Sequence, residues 1–211
     1  MGTLIGLRRS VGSTYAAFAA EYGLSVEAEA INAVFPQLFR AAPTLAFPGL
    51  EGSALLEAEQ AWWVELIAGC LKACGHEGPL PEGLGAALFA HYATAEPWQV
   101  YPDVPDHLQR WSAAGLKLAV VSNFDQRLHP LLEQLELAPW LDAVVVSSAV
   151  GAAKPDPRPF QQALELLQLP AAATWHIGDS PEDEAGARAA GLYCVLIARK
   201  QPAGTPGGTK R

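Results

Sequence analysis

Leu116-Lys117-Leu118-Ala119-Val120-Val121 is a short apolar, β-rich run, and Ser122-Asn123-Phe124-Asp125 follows at its tip. Runs of this length bounded by turn residues read as strands buried on both faces, as in a parallel sheet. Three more runs share the texture, at residues 143–146, 174–177 and 192–197. Amphipathic stretches at 104–114, 127–137, 159–167 and 181–190 predict helices around them. Strands alternating with helices define an α/β fold with a doubly wound parallel sheet.

Upstream the periodicity is helical, from about Ser10 to Glu96. Tyr15, Phe18, Ala19 and Tyr22 fall at helix spacing, and Gly23 ends that helix. Ile31, Val34, Phe35, Leu38 and Phe39 repeat the pattern, with Pro36 predicting a kink or break. Residues 55–71 form a third helix containing Trp62 and Trp63, and 84–92 a fourth. Pro- and Gly-rich loops separate them, and the tryptophans read as packing between helices. The tail, 201–211, has no hydrophobic pattern and reads as disordered.

Half of the 211 residues are hydrophobic and 17% are charged, enough apolar material for a core and too much for intrinsic disorder. Three cysteines exclude a disulfide scaffold and fit a reducing cytoplasm; Cys70 and Cys74 share a helix face but make a poor zinc site. A net charge of −8 argues against nucleic acid or an anionic membrane as partner. No apolar run reaches the roughly 18 residues of a membrane span, and Arg8 and Arg9 interrupt any signal-peptide pattern.

In open parallel sheets, chemistry gathers beyond the carboxyl ends of the strands. After the first run, the Ser122 hydroxyl and Asn123 amide can donate to phosphate oxygens, while Asp125 reads as the cap of the next helix. After the second comes Gly151-Ala152-Ala153-Lys154-Pro155-Asp156-Pro157. A lysine held among prolines suits a site that brings a phosphoryl group and a carboxylate together. Asp156 reads equally as a helix cap. After the third comes Gly178-Asp179-Ser180-Pro181-Glu182-Asp183-Glu184, two carboxylates of which could hold a hard dication such as Mg2+. An acidic first helical turn accounts for Glu182 and one of Asp183 and Glu184 without any ligand, but not for Asp179. His176 reads as a packed core histidine.

The ordered set of a Ser-Asn strand tip, Lys154-Pro155-Asp156-Pro157, and His176-Ile177-Gly178-Asp179 followed by Ala185-Gly186-Ala187-Arg188-Ala189-Ala190-Gly191 resembles the haloacid dehalogenase superfamily of hydrolases. The resemblance implies a Rossmann-like core with a helical cap inserted after its first strand, the arrangement of subfamily IA. It divides the chain into a remnant of the first core motif at 1–9, a helical cap at 10–97, a core at 98–200 and a tail at 201–211. It implies roles for Thr3 as the first-motif threonine, for Ser122 and Asn123 in holding phosphate, and for Lys154 in neutralising nucleophile and phosphate. Asp179 would be the main acidic ligand of Mg2+, with Asp183 the second, or Glu184 at a longer spacing.

The family's first motif begins with a nucleophilic Asp and continues with a second Asp before Gly-Thr-Leu. Gly2-Thr3-Leu4 matches its end, so Met1 falls on the second Asp and the nucleophile position lies two residues upstream. The resemblance therefore implies that the first, central strand is missing, and that the start lies inside the motif. Orphaned backbone groups in its neighbours would each cost about 1–3 kcal/mol, against a domain stability of roughly 5–15 kcal/mol. The expected activity of the complete protein is Mg2+-dependent hydrolysis of a small phosphorylated metabolite through an aspartyl phosphate, by a cytoplasmic monomer or weak homodimer. The chain as it stands would be inactive. A 2-haloacid dehalogenase and a non-catalytic phosphometabolite-binding protein are the alternatives.

Overall fold

The computed structural model describes residues 2–199, so the expected disordered tail lies outside the described residues. The elements run β1 (Ile5–Leu7), α1 (Val11–Glu21), α2 (Ala28–Ala41), α3 (Gly52–Ala73), α4 (Leu84–His91), β2 (Trp98–Val100), α5 (Val104–Ala113), β3 (Ala119–Ser122), α6 (Leu128–Gln134), β4 (Ala143–Val146), α7 (Ser147–Val150), α8 (Arg158–Leu167), β5 (Trp175–Gly178), α9 (Pro181–Ala189) and β6 (Tyr193–Leu196). They divide into two compact units.

The helical unit comprises Leu7–Pro43 and Gln60–Pro97. Tyr15, Ile31, Ile67, Leu71, Leu84 and Leu88 form its buried cluster, one apolar stripe from each helix. Ser10 caps α1 by accepting from the Ser13 N–H, and Tyr15 meets Phe35 edge to face. Of the kink or break expected at Pro36, the structure excludes the break: α2 runs on through it. Trp62 packs as read from the sequence: it is buried, and its indole N–H donates to the Pro43 carbonyl at 2.8 Å.

The α/β unit comprises residues 2–6, Thr44–Glu59 and Trp98–Arg199. It includes a segment expected in the helical cap, because Thr44–Glu59 is tied to the strand-end loops. Ser147 Oγ donates to the Leu45 carbonyl, Phe47 N–H to Ser148, and Gln126 N–H to the Glu59 carboxylate. Glu59 is wholly buried, and burial raises its carboxyl pKa against the hydrogen bond from the Gln126 N–H. Among the described residues the strands form three two-stranded sheets, β1–β2, β3–β4 and β5–β6, the last two parallel. Sequence reasoning passed over β2, a three-residue strand too short to show a period.

Candidate active site

The carboxyl ends of β3 and β5 and the loop after α7 converge on a cavity of about 690 Å3 within the α/β unit, lined among others by Thr3, Ser122, Lys154, His176, Asp179 and Asp183. Lys154 is placed by its backbone as well as its charge. Its N–H donates to Asn123 Oδ1 at 2.8 Å, and its carbonyl accepts from Asn123 Nδ2 at 2.9 Å. Asn123, expected to orient phosphate oxygens, thus braces the lysine loop with both ends of its amide. Lys154 Nζ donates to Asp183 Oδ1 at 2.6 Å and to the Val121 carbonyl at 2.9 Å. An ammonium carries three donors, and among the described residues these two are used.

Asp183 is the buried centre of this arrangement. Its Oδ1 accepts from Lys154 and from His176 Nε2 at 2.9 Å; its Oδ2 accepts from the Asp179 and Ser180 N–H groups and from Ser180 Oγ. Burial alone raises its carboxyl pKa, but the hydrogen bonds from His176 and Lys154 and the lysine's charge outweigh that and hold it far below the usual carboxylate range. Ser180 caps α9 and accepts from the Asp183 N–H, completing a reciprocal capping box. Gly178 leaves the room: a Cβ there would lie 2.4 Å from that of Asp183. The structure separates the two candidates for the second acid, for Glu184 pairs with Arg188 one turn along the helix.

Asp179 differs. It is exposed, and its Oδ1 accepts from Thr3 Oγ1 at 2.6 Å. Gly2 passes so close, at φ +85°, that a Cβ there would lie 2.1 Å from Asp179 Oδ2. Asp179 suits Mg2+, which uses one or two carboxylates with waters and a phosphate. Asp183, with both oxygens occupied by five donors, does not suit it as a direct ligand.

Two residues emerge that the sequence reading left out of the site, His176 and Arg199. His176 joins the Asp183 network and stands edge-on to Phe160, with ring centroids 4.8 Å apart. Arg199 fixes the Thr3 carbonyl through Nη2 at 2.7 Å and Nε at 3.2 Å. Asp125 is not the cap of α6, which begins after Arg127 without a side-chain cap. It is wholly buried, and the Arg127 guanidinium takes up both its oxygens at 2.8 and 2.6 Å. Asp156 accepts from the Arg158 N–H and guanidinium.

A parallel α/β unit with a lysine, a serine and two aspartates gathered at its strand ends defines a hydrolase class. The model of the haloacid dehalogenase-like hydrolases matches residues 2–191, and the chain belongs to that family. It is 38% identical over 202 residues to haloacid dehalogenase-like hydrolase domain-containing protein 3 of Bos taurus, covering 95% of this chain and 80% of that one. A phosphoglycolate phosphatase of Cupriavidus necator is 37% identical over 115 residues, 53% of this chain and 50% of that one. The fold is similar to that of L-2-haloacid dehalogenase from Xanthobacter autotrophicus, with a TM-score of 0.68 and 24% identity over 95% of this chain and 76% of that one.

Proposed function

We propose that the complete protein is a Mg2+-dependent phosphatase of a small phosphorylated metabolite. The observation that carries this reading is the Lys154 ammonium, held by Asp183 and Val121 on the same cavity as Ser122 and Asp179, with two of its three donors used among the described residues. Lys154 offsets negative charge on the phosphoryl oxygens, and Ser122 and Thr3 supply hydroxyl donors to them. Asp179 would hold Mg2+, which when bound supplies further charge neutralisation. The reading requires a nucleophilic aspartate, which the first motif of the family would supply. Its carboxylate oxygen would bond to phosphorus as the bond from phosphorus to the ester oxygen breaks, the departing oxygen taking a proton from water. Water then attacks phosphorus, releasing phosphate and restoring the carboxylate. The phosphatase relative from Cupriavidus supports a small phosphorylated acid as substrate class. Unpaired cysteines support a cytoplasmic setting. Among the described residues no helix is long and apolar enough to cross a membrane.

A second reading, displacement at carbon in a 2-haloacid, is favoured by one observation: protein donors already satisfy Asp183 and one oxygen of Asp179. Hydrolysis of p-nitrophenyl phosphate and of 2-chloropropionate separates the two. The 211-residue chain is expected to be inert. A chain extended upstream through an apolar segment ending in Asp-x is expected to hydrolyse the phosphate ester only with Mg2+, and to lose at least a hundredfold in rate as Asp179→Asn. Metal-independent release of chloride would refute the phosphatase, and so would ester turnover by the unextended chain.

A further inference from the structure

The segment Thr44–Glu59 packs against the chain where it leaves β3 and β4. Ser147 Oγ donates to the Leu45 carbonyl at 2.7 Å and lies 3.2 Å from that of Phe124. The Phe47 N–H donates to the Ser148 carbonyl at 3.1 Å, and the Ser148 N–H to the Phe124 carbonyl at 3.3 Å. Gly151, at φ +70°, lets Pro48 close in: a Cβ there would lie 2.7 Å from Pro48 Cα. Phe124 adjoins Asn123 in the chain, and Gly151 opens the loop that leads to Lys154. This junction therefore flanks both residues that the Asn123 amide ties together.

Glu59 is wholly buried at this junction, and its Oε1 accepts from the Gln126 N–H at 3.1 Å. Among the described residues its Oε2 has no hydrogen-bond partner, and neither has the equally buried Ser148 Oγ. The two are neighbours, since the Ser148 hydroxyl acts on the Glu59 carboxyl. Buried polar atoms are ordinarily paired, so two adjacent orphans need a reason. Charge supplies it, because an ionised carboxylate in such a place calls for a cation. The charge that acts on Glu59 is that of Asp125, of the same sign. Arg127, on the same loop, gives its guanidinium to both oxygens of Asp125. The helix α7, Ser147-Ser148-Ala149-Val150, brings no charge, and Glu51 and Glu57 of the segment are exposed. A buried acid without a counter-ion keeps its proton.

We infer that Glu59 is a neutral carboxylic acid whose Oε2–H donates to Ser148 Oγ while its Oε1 accepts from Gln126, and that this bridge positions the loops carrying Asn123 and Lys154. One proton then satisfies both orphaned atoms. The carboxyl spans the loop after β3, through Gln126, and the start of α7, through Ser148, so it sets the spacing between them. That spacing is what lets the Asn123 amide reach both the N–H and the carbonyl of Lys154. Neither Glu59 nor Ser148 lines the cavity, so both are positioning residues that act through Asn123 and Lys154. The bridge sets where Lys154 stands, whichever reaction that lysine serves.

Infrared difference spectra of the full chain against Glu59→Gln, taken at about pH 6 where an ordinary glutamate is ionised, test the proton. The C=O band of a protonated acid is expected in the wild type, and Ser148→Ala, which removes its acceptor, is expected to shift that band. Amide hydrogen exchange at the Lys154 N–H, which Asn123 holds, tests the positioning. Glu59→Gln keeps one acceptor and gains a fixed donor, and is expected to leave that exchange within about twofold of wild type. Glu59→Leu and Ser148→Ala are expected to speed it at least fivefold. Lack of the band in the wild type would overturn the neutral acid, and a band that Ser148→Ala leaves in place would overturn its pairing with Ser148. Exchange at Lys154 that neither Glu59→Leu nor Ser148→Ala changes would overturn the positioning, as would exchange that Glu59→Gln speeds as much as Glu59→Leu does. Should Glu59→Leu fail to fold, the wild-type band and the Ser148→Ala measurements decide the question.

Discussion

Asp183→Asn probes the centre of the site. The native carboxylate accepts five hydrogen bonds, from Lys154, His176, Ser180 twice and the Asp179 N–H. An amide has one accepting oxygen. Its NH2 must face either Lys154 and His176 or the Ser180 side, so two or more donors lose their partner whichever way it turns. The Lys154 ammonium, only 12% exposed, also loses its counter-ion. Removing one member of a buried ion pair costs about 3–5 kcal/mol. For a chain of this length that corresponds to a fall in Tm of roughly 6–20 °C. The sign with pH is fixed by the lowered carboxyl pKa of Asp183. Its stabilisation is fully present above the unfolded value, about 3.9, and is lost as pH falls through the lower folded value. Calorimetry at pH 7 should show the full deficit, flat in this group's contribution between pH 8 and 5. A deficit below about 1 kcal/mol at pH 7 would refute the assignment of Asp183 as the buried counter-ion. A deficit that widens between pH 5 and 3 would refute the linkage.

Two further outcomes follow from the same unit. Ser180→Ala removes the acceptor for the Asp183 N–H and a donor to its carboxylate; a loss of about 1 kcal/mol is expected by chemical denaturation, and no loss would show the capping box to be idle. Glu59 has a raised carboxyl pKa, so its contribution is present below the unfolded value and is lost as pH rises through the folded one. Glu59→Gln should therefore stabilise the protein at pH 8 relative to wild type and gain less at pH 4; melting curves that shift equally at both pH values would contradict this.

What was legible in the sequence follows the range of the interactions. The strand runs ending at Val121, Val146 and Ile177 declared themselves as short unbroken apolar stretches bounded by turn residues. The Lys154 loop and the Gly178-Asp179-Ser180 turn declared themselves because their chemistry is local. The Asn123 brace was hidden, since it joins residues 31 positions apart through an amide that looks equally suited to a ligand. Arg199 reaches Thr3 across 196 positions, and no periodicity encodes that. Thr44–Glu59 was assigned to the helical segment because its loop carries no strand pattern. Its place in the α/β unit comes from single hydrogen bonds to Ser147, Ser148 and Gln126.

The two aspartates of one short motif illustrate how a fold divides labour. Asp179 and Asp183, four residues apart, were both expected to hold the metal. Asp183 sits at the third position of α9, where its side chain turns back to the cap and faces the β5 histidine and the loop lysine, so it is buried and saturated with donors. Asp179 lies before the cap, exposed, with one oxygen taken by Thr3. A saturated carboxylate positions; a partly open one is available to bind. Lys154 depends on the first and faces the same cavity as the second. Charge removal at Asp183 should therefore be read mainly as lost stability, and at Asp179, under the proposed phosphatase reading, mainly as lost metal-dependent rate. A variant pair behaving in the opposite way would reverse the two roles.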